Sequence, residues 1–227
     1  MSRLDNKVIL VTGAKGGLGS SVTQALLDAG ATVVGVSRSI RQSDFAHPAF
    51  HAHAAELSTR ESAAAAVDAI TAQHARLDAV AHLVGGFDMG PNVEETSDDA
   101  FAKMFALNFY SALYLFQAAL PVMRRQGSGR ILAIGSKAAL EPGARTSAYN
   151  ASKAALLSLV RTIAKETNTV GITANIVLPG TMDTAANRAA MPGADFNQWV
   201  QPSQVAALLV HLASDEASQI TGAAIPI

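Results

Sequence analysis

The stretch that decides the fold is Lys7-Val-Ile-Leu-Val-Thr12-Gly13-Ala-Lys-Gly-Gly-Leu-Gly19. Its first half is a short apolar run rich in β-branched residues, which predicts a buried strand. Its second half is a glycine-rich loop, and apolar residues at helical spacing follow from Val22 to Ala29. This order predicts a dinucleotide-binding turn, because glycines let the backbone approach a pyrophosphate at the positive end of the following helix. The alternative interpretation is a tight turn without a ligand.

The end of the second strand bears on which dinucleotide is bound. Ala31-Thr-Val-Val-Gly-Val36 is followed by Ser37 and Arg38, where NAD-selective sites usually place an acidic residue. A 2′-phosphate needs a cation instead, and Lys15 in the glycine loop adds a second positive charge. We therefore expect NADP(H) to be preferred over NAD(H). The alternative is that Arg38 is only a solvated charge.

The same alternation of strands and helices continues to the C-terminus. Further strands are predicted at 51–55, 78–84, 129–135, 171–178 and 220–225, with helices at 60–74, 96–125, 147–168 and 205–212. Units of this length predict an α/β fold in which about seven parallel strands form one doubly wound sheet with helices on both faces. No linker or repeat divides residues 1–227, so we expect a single domain.

Composition excludes several classes of function. The net charge of −1 gives no sign of a nucleic-acid or membrane partner, and the longest apolar runs, such as 154–160, are far shorter than a membrane span. The chain has no cysteine, which excludes disulfides and thiolate chemistry. His51 and His53 lack an accompanying carboxylate pattern, so no metal site is expected. We expect a cytoplasmic protein.

Tyr149 and Lys153 form the most reactive pair in the sequence. They are four residues apart on a predicted helix, so their side chains share a face and the ammonium can lie beside the phenol. A free phenol has a pKa of about 10, and a neighbouring cation is the direct way to lower it, at about 3–4 kcal/mol of anion stabilisation. Ser136 follows the fifth strand and could point at the same place. The alternative is an ordinary contact on a helix surface.

Three other residues are ambiguous by themselves. Asn108 is the polar exception on an apolar helical segment, as a hydrogen-bonded buried amide would be. His82 lies in the fourth strand and is better explained as a core histidine than as a catalytic base. Trp199 could stack on a substrate ring, although packing in the core or in a lid is the favoured interpretation.

Taken together, these motifs resemble the short-chain dehydrogenase/reductase family over essentially the whole chain. Thr12-Gly13-x-x-x-Gly17-x-Gly19 matches its cofactor loop, and Pro179-Gly180 to Thr184 matches its cofactor-covering segment. The family's catalytic tetrad is matched, in order, by Asn108, Ser136, Tyr149 and Lys153. The resemblance implies a Rossmann-type NAD(P)-binding domain in which Tyr149 is the general acid/base, Ser136 orients the carbonyl oxygen, Lys153 lowers the Tyr149 pKa and binds the nicotinamide ribose, and Asn108 holds the helix and a proton-relay water.

The residues expected to contact the cofactor come from this match and from the ends of the strands. They are Gly13, Lys15, Gly17, Leu18, Gly19, Ser37, Arg38, Glu56, Leu57, Val84, Gly85, Gly86, Tyr149, Lys153, Pro179, Gly180, Thr181 and Met182.

The chain departs from the family pattern in two places. His82-Leu-Val-Gly85 replaces the usual Asn-Asn-Ala-Gly, and the segment after Thr184 is short, which predicts an open substrate site. Val84-Gly-Gly-Phe87 and the region from Met182 to Trp199 are locally similar to dihydropteridine reductases, which reduce a quinonoid pterin. Those enzymes usually carry an acid where this chain has Ser37, and they generally lack the serine at Ser136.

The expected function is hydride transfer between NADP(H) and a small carbonyl or alcohol substrate. A dihydropteridine reductase-like enzyme acting on a pterin or quinone-like substrate remains an alternative. A catalytically silent NADP(H)-sensing protein is a second alternative from another class. The resemblance and the small residues of the helix that carries Tyr149 imply a homodimer or homotetramer.

Overall fold

Strands and helices alternate along the chain in the computed structural model, which describes residues 3–227. The strands are β1 (Val8–Thr12), β2 (Thr32–Ser37), β3 (Phe50–Ala54), β4 (Ala79–His82), β5 (Gly129–Ile134), β6 (Ile172–Leu178) and β7 (Ala224–Pro226). The α-helices are α1 (Gly17–Asp28), α2 (Arg60–His74), α3 (Asp98–Phe105), α4 (Ser111–Gln126), α5 (Ser147–Thr167), α6 (Ala185–Ala190) and α7 (Pro202–Ala213). A π-helical turn, Ala106–Tyr110, joins α3 to α4.

All seven strands lie in one sheet, in the order β3-β2-β1-β4-β5-β6-β7, and every neighbouring pair is parallel. The direction of winding reverses at β1, which pairs with β2 on one side and with β4 on the other. In open parallel sheets, ligands bind in the crevice beyond the carboxyl ends of the strands at such a reversal. The glycine loop leaves β1 at Thr12 and therefore opens into this crevice.

Each face of the sheet is covered by its own apolar layer. Val8 and Leu10 of β1 belong to the layer with residues of α2, α4 and α5, whereas Ile9 and Val11 belong to the layer with residues of α1 and α7. This alternation follows from the period of two along a strand. The predicted doubly wound α/β fold with seven parallel strands is confirmed.

The predicted end of β4 and the predicted start of the last strand differ from the structure, because side chains take the place of backbone hydrogen-bond partners there. β4 stops at His82 because the next amide, of Leu83, donates to the Thr12 hydroxyl instead of to a strand. The last strand begins only at Ala224, because Gly222 turns with φ of 74° and the Thr221 hydroxyl accepts from the Ala174 amide. The bounds predicted for α2 match the structure.

The helical stretch from Asp98 to Gln126 is longer than the predicted apolar runs suggested. It is 29 residues long, its most apolar 18-residue window has a mean hydropathy of 1.3, and by length and composition alone it is the one helix in residues 3–227 that could cross a membrane. Leu115, Phe116 and Met123 on this stretch are fully buried against the sheet. We therefore interpret it as a core helix whose length results from α3, the π-helical turn and α4 joining end to end.

Gly127 and Gly171 offer a matched test of the packing at the amino end of β5. Both have φ of 70°, but a Cβ at Gly171 would lie 2.4 Å from the Gly127 carbonyl oxygen, whereas a Cβ at Gly127 would meet nothing within 4 Å. We expect Gly127→Ala to lower the free energy of unfolding by about 1 kcal/mol. Gly171→Ala adds a steric clash and is expected to cost about 3 kcal/mol. Urea unfolding of both variants measures this difference, and equal losses would contradict the close approach.

Candidate active site

Ser136, Tyr149 and Lys153 meet at the carboxyl edge of the sheet, next to the crevice. Ser136 follows β5 and begins a 3₁₀ turn, while Tyr149 and Lys153 lie one turn apart in α5. The Ser136 side chain lies near enough to the Tyr149 phenol to lower its pKa through hydrogen bonding, and the Ser136 Oγ also accepts from the Ala138 amide at 3.2 Å. The Lys153 Nζ lies 6.0 Å from the centroid of the Tyr149 ring and donates to the Ile134 carbonyl oxygen at 3.1 Å. The structure thus brings together the three groups that the sequence analysis placed at one oxygen.

Burial dominates the electrostatics of this group. Lys153 is 4% exposed, and burial lowers its pKa to about 8. Burial raises the pKa of Tyr149, and the hydrogen bond with Ser136 opposes that rise only in part. The Tyr149 pKa is therefore shifted in the direction opposite to the one expected from a neighbouring Lys153, which is not among the groups that shift it. The reason is that desolvation of the phenolate outweighs the stabilisation that the structure provides for it.

Asn108 is fully buried in the π-helical turn and makes hydrogen bonds in three directions. Its Oδ1 accepts from the Gly86 amide at 2.8 Å, and its Nδ2 donates to the Gly86 carbonyl oxygen at 3.1 Å and to the Ser152 hydroxyl at 3.0 Å. The amide therefore holds the loop after β4 against α5, one residue before Lys153. π-Helical turns occur frequently at functional sites.

Phe87 forms one wall of the site. Its ring packs edge-on against the Tyr149 ring with 5.0 Å between centroids, and 62% of its surface is exposed. Leu140, after the Ser136 turn, and Met191, after α6, are also exposed apolar residues. The Phe87 loop is tied to the start of α5, because Gly90 and Arg145 exchange two hydrogen bonds of 2.9 and 3.1 Å.

The glycine loop is shaped so that side chains cannot fill it. A Cβ at Gly19 would lie 2.0 Å from the Gly13 carbonyl oxygen, and one at Gly17 would lie 3.0 Å from Thr184. Helix α1 starts here with no side-chain cap and no acidic residue in its first turn. Its first N–H groups and positive end therefore point at the crevice, as anion binding requires. Leu18 is buried beneath the loop.

The end of β2 carries the residues predicted to select the cofactor. The Ser37 Oγ is buried and has no hydrogen-bond partner in residues 3–227, while Arg38 is exposed and forms no ion pair with that part of the chain. The Lys15 ammonium, however, lies 3.1 Å from a carboxylate oxygen of Asp44. Hydrogen bonds from the Arg41 amide and from Lys15 lower the Asp44 pKa. An acid is thus present where the sequence analysis counted only cations.

The remaining predicted cofactor residues also line this edge of the sheet. Glu56 is exposed and Leu57 is buried just after β3. Val84 and Gly85 follow β4, and a Cβ at Gly85 would lie 3.0 Å from the Lys153 Nζ. The segment Pro179–Met182 follows β6 and is held by two hydrogen bonds, from the Val200 amide to Thr181 and from the Asp183 amide to Val200.

The structure also shows what surrounds His51 and Trp199. The His51 ring packs on His74, 4.8 Å between centroids, and residues 3–227 contain no cluster of three metal-ligating side chains. Trp199 packs on Phe196, whose ring also lies 4.6 Å from the Arg188 guanidinium carbon. This arrangement is packing within the 183–201 segment, in agreement with the favoured interpretation of Trp199.

The contacts that Asp44 and Thr184 make with the glycine loop could not be predicted from the sequence. Asp44 lies seven positions after the end of β2, and only the 3₁₀ turn Gln42–Asp44 brings its carboxylate to Lys15. Thr184 was identified only as part of a covering segment, and nothing in its spacing predicts that it contacts the glycine loop. Both contacts join segments that are far apart in the sequence, so a local motif could not predict either of them.

Comparison with known proteins agrees with this geometry. The short chain dehydrogenase family model matches residues 7–194. The 7alpha-hydroxysteroid dehydrogenase of Bacteroides fragilis is 30% identical over 252 residues, covering 100% of this chain and 95% of that protein. The 2,3-dihydro-2,3-dihydroxybenzoate dehydrogenase of Escherichia coli is 31% identical over 233 residues, covering 95% and 92%.

A solved structure shows the same fold. The short-chain type dehydrogenase/reductase from Mycobacterium ulcerans superimposes with a TM-score of 0.90 at 27% identity, covering 99% of this chain and 89% of that one. The comparisons give no specific support for a similarity to dihydropteridine reductases. The fold, the site and the family match together establish that this chain belongs to the short-chain dehydrogenase family of oxidoreductases, which use a nicotinamide cofactor.

Proposed function

We propose that this protein is an NADP(H)-dependent oxidoreductase that transfers a hydride between nicotinamide and a small carbonyl or alcohol substrate, with Tyr149 as the general acid/base. The observation that carries the proposal is the convergence of the Ser136 and Tyr149 hydroxyls with the buried Lys153 ammonium beside the crevice at β1. A buried charge without a carboxylate partner is costly, and such groups are concentrated at functional sites.

The crevice fits a nicotinamide dinucleotide. The uncapped start of α1 supplies free N–H donors for a pyrophosphate, and the crowding at Gly19 keeps the loop free of side chains. The orphan hydroxyl of Ser37 is an unused hydrogen-bonding group where a ribose with its 2′-substituent would lie. Pro179–Met182 and Thr184 would cover the bound molecule.

The catalytic residues divide the work of proton transfer. A bound nicotinamide cofactor would supply or accept the hydride. Because burial raises the pKa of Tyr149, the phenol is protonated at neutral pH and is ready to donate to a carbonyl oxygen that gains negative charge. Ser136 donates a second hydrogen bond to that oxygen. Lys153 is mostly charged below its pKa of about 8, so it favours the tyrosinate that remains after donation.

The walls of the site favour a substrate with an apolar body. Phe87 and Leu140 are exposed by 62% and 49%, although large apolar side chains gain free energy when they are covered. Two relatives are named for dehydrogenation of a hydroxysteroid and of a dihydroxylated dihydrobenzoate. We infer that a ring-bearing secondary alcohol or ketone is the class to test first. Trp199 is occupied by Phe196, which weighs against stacking of a pterin on it.

We also propose that the protein assembles as a homodimer or homotetramer. A row of aromatic rings runs along the outer side of the α3–α4 stretch, formed by Phe105, Phe109, Tyr110 and Tyr114. Tyr110 is 43% exposed. On α5, Ala154 and Ser158 are small exposed residues that permit the close approach of a second helix. The other three aromatic rings are half-buried, and a partly exposed aromatic row of this kind is typical of protein contacts.

Tyr149→Phe removes only the proton donor and should lower kcat for NADPH oxidation by about 10²–10⁴-fold. The assay panel contains ring ketones, aliphatic ketones, quinones and a quinonoid dihydropterin. Tyr110→Phe is the matched control, since it makes the same chemical change on the exposed aromatic row, and it should keep the wild-type rate. Wild-type rates for Tyr149→Phe on every accepted substrate would contradict the role of Tyr149.

The panel also separates the alternatives. Preferred turnover of the dihydropterin would identify a dihydropteridine reductase-like enzyme. Tight NADPH binding without turnover of any compound would favour the silent sensor.

Charge changes at the end of β2 test the cofactor preference. Asp44→Asn keeps an oxygen for the Arg41 amide but frees Lys15, so kcat/KM for NADPH relative to NADH should rise several-fold. Arg38→Asp should reverse the preference towards NADH by about tenfold or more. Ser43→Ala, exposed in the same turn, is the neutral control. Unchanged NADPH affinity in Arg38→Asp would rule out the assignment of Arg38.

Lys153→Met should stabilise the protein measured without cofactor. Burial lowers the Lys153 pKa from 10.5 to about 8, which corresponds to roughly 3 kcal/mol of lost stability at pH 7, partly offset by about 1 kcal/mol from its hydrogen bond. Wild-type stability should rise between pH 8 and pH 10.5, because there the unfolded chain binds the proton that folded Lys153 has released.

Urea unfolding at pH 7 and pH 9.5 measures both effects. Lys165→Met on the exposed side of α5 is the control, and it should be neutral at both values. Lower stability of Lys153→Met at pH 7 would contradict the cost assigned to the buried charge.

A further inference from the structure

His82 is fully buried at the end of β4, directly opposite Thr12 in the register with β1. Both of its ring nitrogens have a partner. Nδ1 lies 3.1 Å from the Thr12 hydroxyl, and Nε2 lies 3.3 Å from the hydroxyl of Ser111, at the start of α4. One ring therefore connects the strand that leads into the glycine loop with the end of the π-helical turn.

The neighbouring donors determine the tautomer of this ring. The Ser111 hydroxyl gives its proton to the Leu107 carbonyl oxygen at 2.7 Å, so its oxygen must accept from the His82 Nε2–H. Nδ1 is then the acceptor for the Thr12 hydroxyl, which itself accepts from the Leu83 amide at 3.1 Å. Every group is satisfied by a neutral imidazole. Burial, and secondarily the charge of Lys153, lower the His82 pKa to about 3, so the ring stays neutral.

This chain of hydrogen bonds reaches both ends of the loop Leu83–Gly86. At its start, the Leu83 amide is held by Thr12. At its end, the Gly86 amide and carbonyl are held by Asn108, the residue after Leu107. The two anchors are linked to each other through His82 and Ser111. Hydrogen bonds, together with the peptide link from Leu107 to Asn108, thus form a closed network around the loop that spans β1, β4 and the π-helical turn.

The loop inside this hydrogen-bond network lies between the glycine loop on one side and Lys153 on the other. A Cβ at Gly13 would lie 3.5 Å from Val84, and a Cβ at Gly85 would lie 3.0 Å from the Lys153 Nζ. A small displacement of the loop would therefore alter both the cofactor side and the position of the ammonium. Misplacement of about 1 Å can cost about a hundredfold in rate.

We propose that His82 is a positioning residue that couples Thr12 to the π-helical turn carrying Asn108 and thereby sets the position of Leu83–Gly86 against the cofactor and Lys153. The inference rests on the proposed function for the identity of the ligand. It does not require His82 to touch the substrate or to exchange a proton during the reaction.

The test compares variants that remove hydrogen bonds of this network with one variant that changes only the packing around His82. Ser111→Ala removes the acceptor of the Nε2–H and changes little volume, while His82→Leu removes both bonds. His82→Gln keeps an amide donor and an amide acceptor and should restore part of the function. Phe116→Leu is the packing control, because the Phe116 ring lies edge-on against His82 at 5.9 Å without hydrogen bonding to it.

The first readout is amide hydrogen exchange at Gly86, measured by NMR without cofactor. Gly86 bonds to Asn108 and not to His82, so a purely local role for His82 would leave its protection unchanged. We expect exchange at Gly86 to quicken by about tenfold in Ser111→Ala and His82→Leu, but not in Phe116→Leu.

The second readout is the dissociation constant for NADPH, followed by kcat. Both Ser111→Ala and His82→Leu should weaken NADPH binding by about tenfold and lower kcat, with His82→Gln in between. Wild-type Gly86 protection and NADPH affinity in folded Ser111→Ala would overturn the proposal. If the wild-type protein fails to bind NADPH at all, the proposed function fails instead, and unchanged Gly86 exchange would still overturn the role of His82.

Discussion

The parallel pairing of β1 with both β2 and β4 is the constraint on which the rest of the structure depends. It fixes Thr12 opposite Val36 on one side and opposite His82 on the other. The loops that leave these strands are therefore neighbours, although the chain between Thr12 and His82 runs through two other strands. The glycine loop, the Leu83–Gly86 loop and the end of β5 consequently open into one crevice, where a dinucleotide and a substrate can meet.

Buried charges have ion-pair partners at the amino edge of the sheet but not at the carboxyl edge. At the amino edge, Asp78 is paired with Arg76 at 2.7 Å, and the buried guanidinium of Arg130 lies 3.5 Å from a carboxylate oxygen of Asp215. At the carboxyl edge, Lys153 has no carboxylate within ion-pair distance among residues 3–227, and only a carbonyl oxygen accepts from it. Paired charges of the first kind serve the fold. An unpaired buried charge lowers stability, and such charges are concentrated at functional sites.

Local pattern was sufficient to predict the fold, since apolar runs with period two and helices with period 3.6 alternate along the chain without interruption. The proximity of three candidate groups could also be predicted, because Tyr149 and Lys153 share a helix and Ser136 follows a strand, whereas a role for Asn108 in the site was expected only from the resemblance to the family. What local pattern could not supply was the balance of energies at the site. The phenol was expected to lose its proton easily beside a cation, yet its burial between Phe87 and the Ser136 turn raises its pKa. Burial is a property of the assembled site and cannot be read from spacing.

The role of His82 illustrates a further step from pattern to structure. In the sequence it is one polar residue in an apolar strand, and a satisfied core histidine is a sound interpretation of it. The structure satisfies it with two hydroxyls that belong to other elements and that each serve a backbone group near the crevice. If one member of this hydrogen-bond network is removed, the group that bonded to it is left buried without a partner, and the free energy of unfolding falls. An apolar core between β1 and the π-helical turn would tolerate more substitutions, whereas the buried polar connection fixes one position of the loop. A fixed position is useful for a loop that is proposed to lie against both a cofactor and Lys153.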